Sequence, residues 1–262
     1  MFGSIDNYEN EFFVNGQKVL GVESIDLSYS NNPVVENFLG TRKGLTIING
    51  PTSQKISINR YLIYNDPFLS FTGSNSFSGS INYENKYYGF NSGFLDDYSI
   101  SCAVGSIPKI NLNATIYDEL TTGKNSRGSI ASPSIYIPNQ GSISITCDGS
   151  STNRVVGFDY AIKVFRTPVY SIGSKFVNQV ISTPNIQFAS SVQIDLDDLF
   201  LRSGFDFISD RQNKNLSFSI KSRDGLTTLQ SLVMPNASLV GESLSNNVDG
   251  GIKLTLNYIG HI

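Results

Sequence analysis

Along much of the chain apolar and polar residues alternate one by one, the two-residue period of a strand with one buried face. Lys55–Leu62 sets Ile56, Ile58 and, less cleanly, Arg60 against Ser57, Asn59 and Tyr61. Lys109–Tyr117 sets Ile110, Leu112, Ala114 and Ile116 against Asn111, Asn113, Thr115 and Tyr117. The same alternation predicts strands at Val22–Tyr29, Ser142–Cys147, Phe158–Phe165, Ser191–Leu196, Leu216–Lys221 and Ile252–Tyr258. Asn15-Gly16 and Asp148-Gly149 are tight-hairpin dipeptides, because both central positions of that turn need positive φ. Helical spacing is confined to Ile63–Phe71 and Leu196–Leu201, each too short for more than one or two turns. The expectation is an all-β, largely antiparallel chain with one wet face.

The pattern also repeats. Val19–Val34 (VLGVESIDLSYSNNPV) matches Val155–Val169 (VVGFDYAIKVFRTPV) with one gap, at an offset of about 136 residues. Ile56–Ile58 then falls against Val192–Ile194, Ser78–Asn82 against Leu216–Ile220, and Ile110–Tyr117 against Ile252–Ile259. This predicts two tandem similar β-sandwich or barrel domains, at 1–120 and 134–262, each with at most one short helix and a long assembly loop. The Gly-, Ser- and Asn-rich stretch Thr121–Pro133 is the linker between them.

Composition narrows the function. The 262 residues carry only 16% charged side chains and a net charge of −3, whereas Ser and Asn together number 63. Six alanines against 27 isoleucines, 17 phenylalanines and 13 tyrosines favour sheet over helix. Without a basic excess, dedicated nucleic-acid binding is disfavoured, and no apolar run approaches the length needed to span a bilayer. Met1–Asn10 has no signal-peptide character, so cytoplasmic synthesis is expected. Cys102 and Cys147 then read as free thiols, and the sequons at Asn113, Asn215 and Asn236 carry little weight.

Candidate chemistry is sparse. The single histidine, His261, sits at a chain end where catalytic preorganisation is poor. Asp96 and Asp97 are neighbours, which a strand would point to opposite faces; a turn or solvated edge is the better reading. Asp195, Asp197 and Asp198 lack the remaining ligands of a calcium loop, and Gly73–Gly79 (GSNSFSG) lacks the phosphate-loop ending. No catalytic residue, cofactor or metal is expected. Tyr83, Tyr87, Tyr88 and Tyr98 are candidates for a sugar-stacking face or for cross-strand packing.

The stretch Asn31–Gly50 is long for a solvated loop and carries Pro33, Val34, Val35, Phe38 and Leu39, bracketed by Arg42 and Lys43. Val169, Tyr170, Ile172, Phe176 and Val177 occupy the matching place in the second half. Both segments are expected to dock on neighbouring subunits, the alternative being that each folds back as a hairpin over its own core.

Gly93–Pro108 (GFLDDYSISCAVGSIP) and Ser78–Gly89 (SGSINYENKYYG), in a frame of leading hairpin, long loop, strand with short helix and closing strands, resemble tail tube proteins of tailed bacteriophages. That resemblance implies a virion tail subunit that builds stacked rings with copies of itself, as a hexamer or as a two-domain trimer with pseudo-sixfold symmetry. The implied partners are other tail proteins, including the tape-measure protein, with DNA as non-specific cargo in the lumen and no membrane. A single-ring distal tail or tail terminator protein is the alternative, and a carbohydrate-binding adhesion module the competitor from another class.

Overall fold

The computed structural model describes residues 11–30, 33–36, 45–48, 53–83, 86–123, 134–151, 154–172, 174, 176–196, 213–247 and 251–262. The alternating segments form strands: β1 (Glu11–Val14), β2 (Gln17–Val19), β3 (Val22–Ser30), β4 (Pro33–Glu36), β5 (Leu45–Ile48), β6 (Ser53–Tyr61), β7 (Phe77–Tyr83), β8 (Lys86–Ala103), β9 (Lys109–Ile116) and β10 (Thr121–Thr122). The second half continues with β11 (Pro138–Cys147), β12 (Ser150–Ser151), β13 (Val155–Val169), β14 (Gln179–Leu196), β15 (Lys214–Ser222), β16 (Thr228–Asn247) and β17 (Gly251–His261). The chain is all-β. Of the two short helical candidates, the first contains a single 3₁₀ turn at Phe68–Phe71, and the second lies outside the described residues beyond Leu196.

All of these strands except the β4–β5 hairpin join one 15-stranded antiparallel sheet, and two long strands carry it round corners. β8 pairs with β7 through its first part and with β9 and β13 through its second. β16 pairs with β15 as far as Ala237 and with β17 from Ser238. Each corner holds an extra residue in the long strand, at Asn91–Ser92 and at Pro235–Asn236, where Asn236 takes φ 52°. Proline offers no N–H to a ladder and asparagine tolerates the left-handed region, so pairing breaks and the strand bends there. The bend folds each half into two layers over a shared core: Phe12, Ile81 and Phe90 with Ile56, Ile58 and Leu112 in the first, and Phe158 and Tyr160 at 5.2 and 5.4 Å from Phe218 in the second.

Both halves follow one strand path. The order β3-β6-β9-β8-β7-β1-β2 in the first becomes β13-β14-β17-β16-β15-β11-β12 in the second. Three irregularities recur on it: a bulge at Glu23 and at Val156, the corner at Asn91–Ser92 and at Pro235–Asn236, and a bulge at Asp96 and at Val240. The hairpin turns recur too. Asn15 (φ 47°) and Asp148 (φ 49°) each donate a backbone N–H to a carbonyl across the sheet, Ser78 O and Asn215 O, and each accepts that residue's N–H on its side-chain Oδ1 at 2.8 Å.

Pairing corrects the sequence alignment. Val155 matches Val22 rather than Val19, Val192 matches Ile58 rather than Ile56, Leu216 matches Gly79 rather than Ser78, and Leu254 matches Ile110 rather than Leu112. Letter matching cannot see a bulge or a changed loop length, and a slip of one or three residues exchanges the buried and exposed faces.

Candidate functional site

Inside the large sheet lies an unbroken run of eight antiparallel strands, β3-β6-β9-β8-β13-β14-β17-β16, four from each half. One face is core. The other is mostly polar, because most positions that face it are Ser, Asn or charged, with Tyr61, Val240 and Ile259 exposed among them. One row across it reads Ser24, Asn59, Asn111, Ser99, Ala161, Ala189, Ile259 and Ser238, and the next includes Tyr61, Lys109, Ser101, Asp159, Ser191 and Asn257. Charges on this face nearly balance, with Glu23, Asp26, Asp97, Asp159 and Asp195 against Lys55, Lys109, Lys163 and Lys253, and Glu23 paired to Lys109. Such a surface offers a polyanion neither a cationic grip nor a strong barrier.

The halves are welded edge to edge where β8 pairs with β13, from Asp97 opposite Lys163 to Ala103 opposite Gly157. Its buried side stacks Tyr98 on Ile162 and Ile100 on Tyr160. Arg166, at the far end of β13, locks the joint. Its guanidinium, 1% exposed, donates to the Leu95 carbonyl, to Phe71 O at 3.0 Å and to Gly73 O at 2.8 Å, and lies 3.9 Å from Asp96. Burial pushes the Asp96 carboxyl pKa up and that of Arg166 down; the Thr115 hydroxyl, donating to Asp96 at 2.6 Å, works against the first shift.

Two ends of the sheet are blunted and two are not. β2 and β12 are stubs of three and two residues. By contrast, β3 and the Ser238–Asn247 part of β16 are long, and among the described residues their outer edges have no strand partner. Neither carries Lys or Pro, although each holds a bulge, at Glu23 and at Val240, and acidic side chains, Glu23 and Asp26 on one and Glu242 on the other. Leu27, Tyr29 and Leu244 stand exposed on them at 40, 60 and 65%.

The expected docking segments divide. Pro33, Val34 and Val35 lie in β4, paired with β5, so the long loop contains a hairpin of its own; Phe38 and Leu39 lie outside the described residues. Val169 closes β13 opposite Gln179, Tyr170 and Ile172 are exposed, and Val177 is half-buried. Phe176 folds back over the first half of its own chain, lining a groove with Leu27, Tyr29, Gln54 and Leu120. For the second half, then, the loop reaches the neighbouring half within the same chain.

Other candidates find structural places. Asp96 and Asp97 sit inside β8, not in a turn: the bulge at Asp96 re-aims that side chain towards Arg166 while Asp97 faces Lys163. His261 is no frayed tail, since it pairs with Gln187 in the sheet and Ile262 exchanges both backbone hydrogen bonds with Ile186. Tyr98 is buried whereas Tyr87 and Tyr88 are half-exposed, so the tyrosines do not share one face. Cys102 and Cys147 are free thiols. Among the described residues no three His, Cys, Asp or Glu side chains cluster as metal ligands, and no helix is long and apolar enough to cross a membrane.

Sequence reasoning missed one cluster. Arg60, fully buried, meets Asp66 at 3.2 Å and stacks on Tyr64 at 4.6 Å, while Tyr98 donates its hydroxyl to Asp66 at 2.6 Å. Desolvation, then the Asp66 charge, holds the Tyr98 hydroxyl well above its ordinary pKa. With the Phe68 N–H also bonded to Asp66, the cluster pins the Leu62–Phe71 connection onto the core. An arginine on the apolar face of an alternating strand was its only signal. No protein-family model matches this sequence, and no curated protein does.

Proposed function

We propose that the chain is a structural subunit of a bacteriophage tail tube, which closes with copies of itself into rings that stack around a DNA-conducting lumen. The observation that carries this reading is the eight-strand run with one nearly balanced, Ser- and Asn-rich face, built from two halves of one path and ending in two bare edges. A sheet of that kind presents the same joint again at each end, so copies add head to tail, and such addition gives a ring when the rotation closes. The polar face then lines the lumen. Three chains would supply six equivalent halves, as in the two-domain tube proteins the sequence resembles. The work done is geometric: a wall without cationic patches lets a polyanion slide, and the chain performs no chemistry.

Negative-stain imaging of the purified full-length chain tests this reading. Stacked rings or tubes with a central hole are expected. Discrete single rings would move the assignment to a distal tail or terminator component, and monomers at every concentration would sink it.

A further inference from the structure

We infer that a second copy of this chain docks its β3 edge on the Ser238–Asn247 edge of β16, in the register the chain already uses between its own halves. This rests on the tube reading's premise that copies add through the two bare edges, and adds the register and the residues that face each other.

The argument starts from the internal joint. In the shared path β13 corresponds to β3, and the second part of β8 corresponds to the second part of β16, with Phe158 matching Ile25 and Ile100 matching Leu244. Inside the chain those two strands are paired. Their counterparts are the two bare edges. Transferring the internal register places Tyr160 opposite Ile100 onto Leu27 opposite Leu244, and Ala161 opposite Ser99 onto Ser28 opposite Ser243. The strand directions agree, since every neighbouring pair in the eight-strand run is antiparallel and the new pair would be as well.

The side chains support the transfer. Ile100 and Tyr160 are 0 and 1% exposed in the formed joint, whereas Leu244 and Leu27 are exposed at the corresponding bare positions. At this pair both edges hold an apolar residue where the joint has one; the joint's other buried pair, Ile162 opposite Tyr98, transfers to Tyr29 opposite Glu242, an aromatic hydroxyl facing a carboxylate at the open edge. Main-chain pairing of this kind gives affinity from the backbone and register from the pockets for alternate side chains.

Cysteine pairs read the register directly. In a Cys102→Ser background, Leu27→Cys with Leu244→Cys should give a covalent ladder of chains under mild oxidation, at least tenfold faster than Ile25→Cys with Leu244→Cys, which tests a two-residue slip. Either single cysteine alone should give no ladder. Rings in the microscope with the slipped pair linking faster, or with neither pair linking, would overturn the register and leave the tube reading standing. Absence of any assembly would end both. As a second variant, Leu244→Lys should raise the concentration needed for assembly at least tenfold without moving the thermal midpoint, and adding Leu27→Asp should restore much of it. Wild-type assembly by Leu244→Lys would also overturn the inference.

Discussion

The two halves of this chain are the same path drawn in different side chains, and the contrast separates what the path requires from what it tolerates. Where the first half buries Arg60, the second has Ile194 at the matching position, equally buried. The fold thus asks for a filled site and accepts either an apolar residue or an arginine paired through Nη1 alone, with its Nε and Nη2 buried without hydrogen-bond partners. Where the path makes a corner, it asks for an extra residue but accepts Asn91–Ser92 or Pro235–Asn236. At the turn it requires positive φ and a side-chain acceptor, and takes Asn15 or Asp148. Exposure differs most at the edges. Tyr160 and Leu27 occupy equivalent positions, one sealed by β8 and the other open, so pairing and not residue type sets their burial.

The contrast can be broken most forcefully at Arg60. Asp66→Ala should cost about 3–5 kcal/mol in urea unfolding, since it leaves a buried guanidinium without its counter-charge. Replacing both partners, Arg60→Ile with Asp66→Leu, imitates the second half and should recover most of that loss; failure to recover would mean that the Leu62–Phe71 connection depends on the ion pair itself. Next comes the weld. Arg166→Ala should cost about 3 kcal/mol, because three backbone carbonyls lose a charged donor. An unchanged unfolding midpoint would show that β8–β13 pairing alone holds the halves.

A subtler exchange sits under the corners. Gly79 and Phe90 pair in the first half, and a Cβ on Gly79 would collide with the Phe90 ring; their counterparts are Leu216 and Met234. Volume has moved from one strand to the other. Gly79→Leu alone should therefore destabilise by about 1–3 kcal/mol, and Phe90→Met beside it should offset much of that in a double-mutant cycle. Additive losses would refute the matched register.

The smallest effect belongs to the turn. Backbone donation from Asn215, then Lys214 at 3.1 Å, holds the Asp148 carboxyl below its ordinary pKa. A carboxylate depressed in the folded state stabilises above its unfolded pKa of about 4 and loses that contribution as pH falls through the folded value. Asp148→Asn, the residue the first half uses, should cost under about 1 kcal/mol at neutral pH, with the difference vanishing near pH 2. A constant difference across that range would mean that the charge plays no part.

Period-two alternation and the two turn dipeptides were enough to read the all-β class and eight of the described strands, β3, β6, β9, β11, β13, β14, β15 and β17, because one wet face leaves a clean record in each. Register was not legible. Bulges at Glu23 and Asp96, and their counterparts at Val156 and Val240, add residues that no letter pattern marks. β8 and β16 were not expected as strands at all, and β14 only from Ser191: Gly93, Pro184 and Pro235 look like chain breaks, yet they lie within strands. The bare edges were invisible as well, since Leu27 and Leu244 read as ordinary inward residues until the pairing showed no strand beside them among the described residues.

Fusing two modules into one chain has a consequence for calibre. If the wall of a tube is made only of whole chains, strands enter in groups of eight, each group adding about 38 Å of circumference at the usual inter-strand spacing. Bore width then changes in steps of about 12 Å, ignoring strand tilt. No point mutation can widen such a pipe slightly; the subunit count is a coarse dial, and assembly errors would show as discrete size classes.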